Sequence, residues 1–238
     1  MAFADHILPH GPIRQLDERL WIVTGSLRNM PMPRNMVIWR QDDGQLLLHS
    51  TIALSADGMT ALEDLGTIAT QIVPSKYHRL DAAVYKARYP TMQVLCPTGA
   101  RRDIEKMLAV DAPVEEVLET LGGSIPSVPG LGTWEHIYEV PCGRGHALIA
   151  NDCLFNLREH LPGFSGLVMR YLTGSTGHFG TSRVGRYFLG DKKQSFGAWL
   201  HTQADRHDLT WLALSHGEPL TGEARVEGLR EAARALGA

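Results

Sequence analysis

In the first half of the chain, segments with the hydrophobic pattern of a strand alternate with segments that have the pattern of a helix. Short runs of β-branched and other apolar residues are typical of strands, whereas apolar residues three and four positions apart are typical of helices. The predicted strands are 20–27, 35–40, 45–52, 67–74 and 93–97. The predicted helices are 58–65, 80–89, 99–108 and 113–121. This alternation predicts an α/β layered fold.

Turn and capping residues define several of these boundaries. Asp42-Asp43-Gly44 separates two predicted strands and supplies the positive φ that a tight hairpin needs. Ser55 is placed to cap the helix that follows it, and Pro90 is placed to end the helix at 80–89. The Met- and Pro-rich stretch 29–33 is predicted to break a strand.

The second half of the chain again runs from strands to helices. Strands at 132–141 and 146–155 are joined by Cys142-Gly-Arg-Gly145, a turn so short that we expect them to be neighbours in one sheet. The remaining predicted elements are a long helical stretch at 162–206, a strand at 209–214 and a closing amphipathic helix at 223–236. We interpret the aromatic residues of 164–199 as core between helix and sheet, with a lid over a substrate as the alternative.

Two halves of this kind predict two sheets that face each other with helices on the outside. The expected architecture is therefore a four-layer αββα sandwich, in the α/β (α+β) class. We expect one domain over residues 1–238, with halves at about 20–122 and 132–238.

Composition and charge bear on the kind of partner to expect. Lys and Arg total 23 and Asp and Glu total 26, so the formal charge of −3 does not favour a nucleic acid or an anionic membrane. No apolar run reaches the roughly 20 residues that a membrane span requires, and the first residues lack the pattern of a secretion signal. These two observations predict a cytoplasmic location. Three cysteines cannot all pair, so we expect reduced thiols. The expected partner is a small-molecule ligand or substrate.

Candidate chemistry lies where predicted strands end. The apolar run that starts at Ile68 ends at Pro74 and leads into a polar cluster containing His78. Asp152 follows the strand that starts at His146, and His216 follows the last strand. Strand ends are where α/β folds place binding and catalytic residues.

This order of features resembles the metallo-β-lactamase superfamily, over about Leu20 to Leu236. The signature of that superfamily is Thr-His-x-His-x-Asp-His, and the matching segment here is Ser75-Lys-Tyr-His-Arg-Leu-Asp81. His78 falls on the second histidine, whereas Lys76, Leu80 and Asp81 replace the first histidine, the aspartate and the last histidine. The motif is therefore degenerate, as in a divergent branch of the superfamily.

The resemblance implies a set of metal ligands. Asp152 matches the bridging aspartate and His216 the final histidine of the family, so His78, Asp152 and His216 would hold one zinc or iron ion. Cys142 stands in the turn where the family has its third histidine, and a thiolate can bind zinc.

Each candidate also has an ordinary structural interpretation. His78 could be a solvated loop residue, and Asp152 and His216 could each cap a turn or loop after a strand. Cys142 could be an inert, small apolar side chain.

Two functions follow, and the sequence does not decide between them. The first is a single-metal hydrolase acting on an ester, amide or thioester, with Asp81 as fourth ligand or general base. The second is a non-catalytic protein that binds a small anion or a protein partner, because Lys76 puts a cation where the family has a ligand and Arg79 lies nearby. Nothing in the sequence indicates the oligomeric state.

Overall fold

The computed structural model describes residues 2–238, which form a mixed α/β fold, as predicted. The chain divides into two compact units. The first unit comprises residues 2–28, 33–124 and 133–135, and the second comprises residues 29–32, 125–132 and 136–238. The prediction of a single domain stays a prediction. No helix within residues 2–238 is both long enough and apolar enough to span a bilayer.

The first unit is built on a seven-stranded sheet in which the strands lie in sequence order. Its strands are β1 (Arg14–Asp17), β2 (Leu20–Leu27), β3 (Met30–Arg40), β4 (Gln45–His49), β5 (Thr67–Ile72), β6 (Gln93–Cys96) and β7 (Ala112–Pro113). Its helices are α1 (Ala56–Glu63), α2 (Ala82–Arg88), α3 (Arg101–Ile104) and α4 (Val114–Val117). β3 and β4 are antiparallel, and β4 to β7 run parallel.

Local chemistry explains the elements that the sequence predicted well. Gly44 has a φ of 80°, and β3 returns as β4 with Arg40 opposite Leu46, which confirms the predicted hairpin. The hydroxyl of Ser55 accepts a hydrogen bond of 3.2 Å from the backbone N–H of Gly58, so the predicted cap of α1 is also confirmed.

Two predictions for the first unit are wrong in detail. The stretch 29–33 does not interrupt the strands over its whole length. Asn29 makes the turn after β2 in the left-handed region (φ 63°), and β3 starts directly at Met30. The helices at 99–108 and 113–121 shrink to α3 and α4, each of four residues and each next to a 3-10 turn.

The second unit contains a four-stranded sheet in the order β13-β12-β9-β8 and a two-stranded sheet, β10-β11. Its strands are β8 (Tyr138–Cys142), β9 (Gly145–Ala150), β10 (Phe155–Leu157), β11 (His178–Gly180), β12 (Leu209–Leu214) and β13 (Leu220–Thr221). Its helices are α5 (Gly163–Val168), α6 (Arg183–Leu189), α7 (Lys193–Ala204) and α8 (Gly222–Ala235). β8 and β9 are antiparallel neighbours, as predicted.

One hydrophobic core holds the helices α7 and α8 on the four-stranded sheet. Leu148 and Leu212 come from the sheet, Phe196 and Leu200 from α7, and Leu229 from α8, and all five are at most 1% exposed. Burial of each such side chain stabilises the fold by about 1.5–3 kcal/mol.

The aromatic stretch 164–199 is only partly core, so that prediction is wrong for most of its aromatic residues. Phe196 is buried, but Phe164, Tyr171, Tyr187 and Phe188 are 62–83% exposed. Helical periodicity indicates which residues share a face, but it does not indicate whether that face turns inward.

The parallel pairing of β9 with β12 determines where the chain leaves this sheet. Leu212 lies opposite Leu148 and Leu214 opposite Ala150, and the N–H of Ser215 donates to the carbonyl of Ala150 at 3.0 Å. Because the strands are parallel, both chains leave the sheet at the same edge.

Gly217 fixes the loop that follows β12 against β10. Its φ is 92°, and a Cβ at this position would lie 1.9 Å from the carbonyl oxygen of Asn156. The N–H of Asn156 in turn donates to the carbonyl of His216 at 3.0 Å. No residue with a side chain fits here without moving this loop or β10.

We expect Gly217→Ala to lower the free energy of unfolding by about 1–3 kcal/mol more than Gly222→Ala. Gly222 is the matched control because it also has a positive φ (54°), but a Cβ there would meet nothing within 4 Å. Both variants place alanine at a positive φ. The difference between their free energies of unfolding in urea therefore reports the steric contact with Asn156. Equal destabilisation would show that the approach to Asn156 does not hold the loop.

Candidate metal centre

Asp152 and His216 lie together at the shared edge of β9 and β12. The Nε2 atom of His216 is 3.3 Å from the Oδ1 atom of Asp152. The imidazole is almost fully buried, whereas the side chain of Asp152 is 28% exposed. The structure therefore brings together two of the residues that the sequence singled out, in a place that solvent reaches from the Asp152 side.

The imidazole of His216 is held in one orientation by its neighbours. The ring of Phe155, the first residue of β10, stacks on it with a centroid distance of 5.4 Å and an interplanar angle of 14°. The side-chain amide of Asn156 donates to the carbonyl of Glu218 at 2.7 Å, which ties the same loop to β10 from its other end. A side chain locked by packing in this way is typical of a positioned ligand.

His78 lies in the first unit, in the turn after β5. It is 7% exposed, so its interpretation as a solvated loop residue is wrong. The hydroxyl of Ser50 is 2.8 Å from its Nδ1 atom. Ser50 has a φ of 58°, a strained conformation for a residue other than glycine, and such residues occur often at functional sites. Nε2 is then the ring nitrogen on the side away from Ser50.

Asp81 is buried in the first unit among three donors. Arg34 donates to its Oδ2 atom, the N–H of Ala53 donates to the same oxygen at 2.9 Å, and Nδ1 of His6 is 3.0 Å from its Oδ1 atom. The carboxylate neutralises the guanidinium of Arg34, which is itself only 2% exposed. A metal ion at Asp81 would have to compete with the buried guanidinium of Arg34, which argues against Asp81 as a metal ligand.

Lys76 and Arg79, the cationic residues that the sequence singled out, each have a contact within the first unit. Lys76 is exposed, and its ammonium lies 5.0 Å from the centroid of the ring of Tyr77, which is 68% exposed. Arg79 donates to the backbone carbonyl of Asp103. The side chain of Lys76 therefore extends into solvent, and Arg79 stabilises the adjoining loop.

Cys142 cannot share an ion with Asp152, and its prediction as a ligand is wrong. It is the last residue of β8 and pairs with Gly145, the first residue of β9, whereas Asp152 follows the other end of β9. The length of β9 separates the two by roughly 16 Å. The Cys142 thiol is buried and lies 3.2 Å from the hydroxyl of Thr210, a structural position.

A second acid and histidine group, which the sequence did not indicate, lies at the opposite edge of the same sheet. It consists of Glu139, His146 and Asp208. The guanidinium of Arg206 lies between the carboxylates, 2.7 Å from Glu139 and 2.6 Å from Asp208, and these hydrogen bonds hold the pKa of Asp208 at about 2. Arg206 already supplies the positive charge, so this group is an ion-pair network.

No family model and no curated protein sequence matches the chain. Solved structures do match it over nearly its whole length. The metallo-β-lactamase DIM-1, exposed to ceftazidime, has a TM-score of 0.64 at 10% identity, over 96% of this chain and 98% of that one. The fold is that of the metallo-β-lactamases.

Two further structures with the metallo-β-lactamase fold support this conclusion. FIM-1 from Pseudomonas aeruginosa, in its mono-zinc form, has a TM-score of 0.59 at 12% identity, with 97% of each chain covered. A metallo-β-lactamase from Erythrobacter litoralis has a TM-score of 0.60 at 12% identity, over 94% of this chain and 96% of that one. At such low identity the likeness shows the metallo-β-lactamase fold and leaves the activity to the site residues.

We expect Asp81→Asn to lower the free energy of unfolding by about 3–5 kcal/mol, because it leaves Arg34 charged and buried without its counter-ion. The double variant with Arg34→Met should be more stable than the sum of the two single changes predicts. Urea unfolding measures both.

Glu105→Gln is the control, since Glu105 pairs with Arg101 at 2.8 Å on the exposed surface of the same unit and should cost at most about 0.5 kcal/mol. If Asp81→Asn were as mild as Glu105→Gln, Asp81 would be available for another role.

Proposed function

We propose that the protein is a metal-dependent hydrolase with one metal ion held by Asp152 and His216, and by His78 as the third ligand that the superfamily resemblance implies. The observation that carries this proposal is the Asp152–His216 pair. Two ligands about 2.1 Å from one tetrahedral ion lie roughly 3.4 Å apart, and Nε2 of His216 is 3.3 Å from Oδ1 of Asp152. A charged N–H···O hydrogen bond is typically shorter, at about 2.7–2.9 Å.

The donor atoms fit a zinc or iron ion. Imidazole and carboxylate groups suit both metals, and three protein ligands leave one position open, as in catalytic rather than structural sites. When bound, such an ion activates water as a nucleophile near neutral pH. The carboxylate of Asp152 offsets part of the charge of a divalent ion.

Neighbouring side chains orient the two histidines. Phe155 holds the ring of His216 by stacking. The hydroxyl of Ser50 contacts Nδ1 of His78, which orients the ring with Nε2 on the side away from Ser50. These contacts support a preorganised site, because a metal ligand gains affinity when its partner on the other ring nitrogen sets its direction.

The segment 75–81 supports one ion rather than two. It keeps His78, but Lys76, Leu80 and Asp81 stand where the superfamily signature has its other ligands. The contacts of Lys76 with Tyr77 and of Asp81 with Arg34 give these two residues other partners. These contacts support the proposal that the protein belongs to a divergent branch of the superfamily, with a degenerate site limited to one ion.

The proposed substrate is a small molecule with an ester, amide or thioester carbonyl. A cytoplasmic location fits the three cysteines, which are all buried and form no disulfide. The alternative function, a non-catalytic protein that binds a small anion through Lys76 and Arg79, has less support. Lys76 lies over Tyr77, and Arg79 donates to the carbonyl of Asp103.

We expect protein purified without chelator to carry about one equivalent of zinc or iron. Removal of one ligand, in His78→Ala, Asp152→Ala or His216→Ala, should lower the metal content of the purified protein to a small fraction of one equivalent. Ser50→Ala should weaken metal binding by about 10–100-fold, because it removes the partner of His78. Elemental analysis and chelator competition measure these effects. The same chelator should lower the Tm of the wild-type protein but not that of the three ligand variants.

His201→Ala is the matched control, since His201 is an exposed histidine of α7. Hydrolysis of chromogenic esters, thioesters and β-lactams then tests the activity, which should be lost with the metal. Wild-type protein with well under one equivalent, unchanged in the ligand variants, would overturn the metal site. A bound metal without hydrolysis of any carbonyl substrate would overturn the hydrolase alone.

A further inference from the structure

Large apolar side chains on the surface are concentrated in one part of the second unit. Of the 13 that are exposed in residues 2–238, seven fall within residues 164–188. Phe164 and Tyr187 are 82% and 83% exposed, and Leu172 is 71% exposed. Scattered apolar residues on a surface are ordinary, but a cluster of this kind marks a place where something binds.

These side chains lie on one side of two helical segments. In α5 and the π-helical turn that continues it (Met169–Thr173), the exposed apolar residues follow the spacing i, i+3, i+7 and i+8. In α6 they follow i, i+3 and i+4. Both spacings describe one face of a helix. The residues are Phe164, Leu167, Tyr171 and Leu172 in the first segment and Val184, Tyr187 and Phe188 in the second.

The inner side of the first segment is anchored to the core of the same unit. Met169 is buried in a small cluster with Phe155 and Leu157. Gly166 packs so closely that a Cβ there would lie 1.9 Å from the carbonyl oxygen of Leu161. The outward apolar side chains are therefore held in place by the fold.

Basic residues border the apolar side chains. Arg183 joins the two segments by donating to the carbonyl of Tyr171 at 2.6 Å, and the guanidinium of Arg170 lies 4.9 Å from the centroid of the Tyr171 ring. Residues 163–193 contain five basic residues and one acidic residue, a formal charge of +4, although the whole chain has −3. We call this surface, residues 163–193 with their exposed apolar and basic side chains, the apolar-basic face.

We propose that the apolar-basic face docks the protein on an anionic lipid surface. Helices that lie in the plane of a membrane interface combine Phe and Leu on one side with Lys and Arg at the border, where the long basic side chains reach the headgroups. Each basic residue near an anionic leaflet adds attraction, and the apolar side chains add burial in the acyl boundary. The mode of binding is peripheral and reversible.

Charge favours a lipid surface over a second copy of the chain. A symmetric dimer through this face would bring two surfaces of +4 together, and like charges across an interface weaken association. The net charge of −3 for the whole chain does not favour an anionic membrane. Net charge averages over the chain, however, whereas attraction to a surface acts over about 10 Å.

The test is co-sedimentation of the full chain with vesicles of phosphatidylcholine alone and of equal parts phosphatidylcholine and phosphatidylglycerol. We expect binding to the mixed vesicles that weakens as salt is added. Phe164→Ser with Tyr187→Ser should weaken it by about tenfold or more. Arg170→Gln with Lys192→Gln should also weaken it by about tenfold or more, and only for the anionic vesicles.

The matched controls, Met107→Ser and Arg102→Gln, change an exposed apolar residue and an exposed basic residue of the first unit and should bind like the wild type. Circular dichroism and the Tm of each variant confirm that it is folded. Absence of binding to either kind of vesicle, or equal loss in the control variants, would overturn the proposal. Sedimentation equilibrium that gives a dimer broken by Phe164→Ser with Tyr187→Ser would assign the face to a second copy instead.

Discussion

The parallel pairing of β9 with β12 is the constraint on which the second unit depends. The register that places Leu214 beside Ala150 also places Asp152 and His216 at one edge, each two residues beyond its strand. A slip of one residue would turn one side chain to the other face of the sheet. The burial of Leu148 and Leu212 in a common core opposes such a slip, so the geometry of the acid and histidine pair is a consequence of hydrophobic packing.

Features set by neighbouring residues were predictable from the sequence. The last strand, 209–214, coincides with β12, and the closing helix differs from α8 by one residue at each end. The hairpin at Gly44 and the cap at Ser55 follow from turn and capping chemistry within a few residues. The positions of Asp152 and His216 were also predictable, because each lies two residues beyond the end of an apolar run.

Features set by residues distant in the sequence were not predictable. Asp81 meets Arg34 across 47 positions, and His78 meets Ser50 across 28. Neither Arg34 nor Ser50 lies in a motif, so no local pattern separates them from surface residues. Only these two tertiary contacts show that Asp81 balances a buried charge and that His78 is oriented. The first argues against Asp81 as a metal ligand, and the second supports His78 as one.

Phe155 connects the two surfaces of the second unit that have been assigned a role. Its ring stacks on His216, and it shares a buried cluster with Met169, which lies on the inner side of the helical segment whose outer side carries Phe164 and Tyr171. Rigid packing transmits displacement because protein interiors have few voids. The helical segment and the imidazole of His216 therefore pack against one shared buried cluster, so the position of Phe155 depends on both.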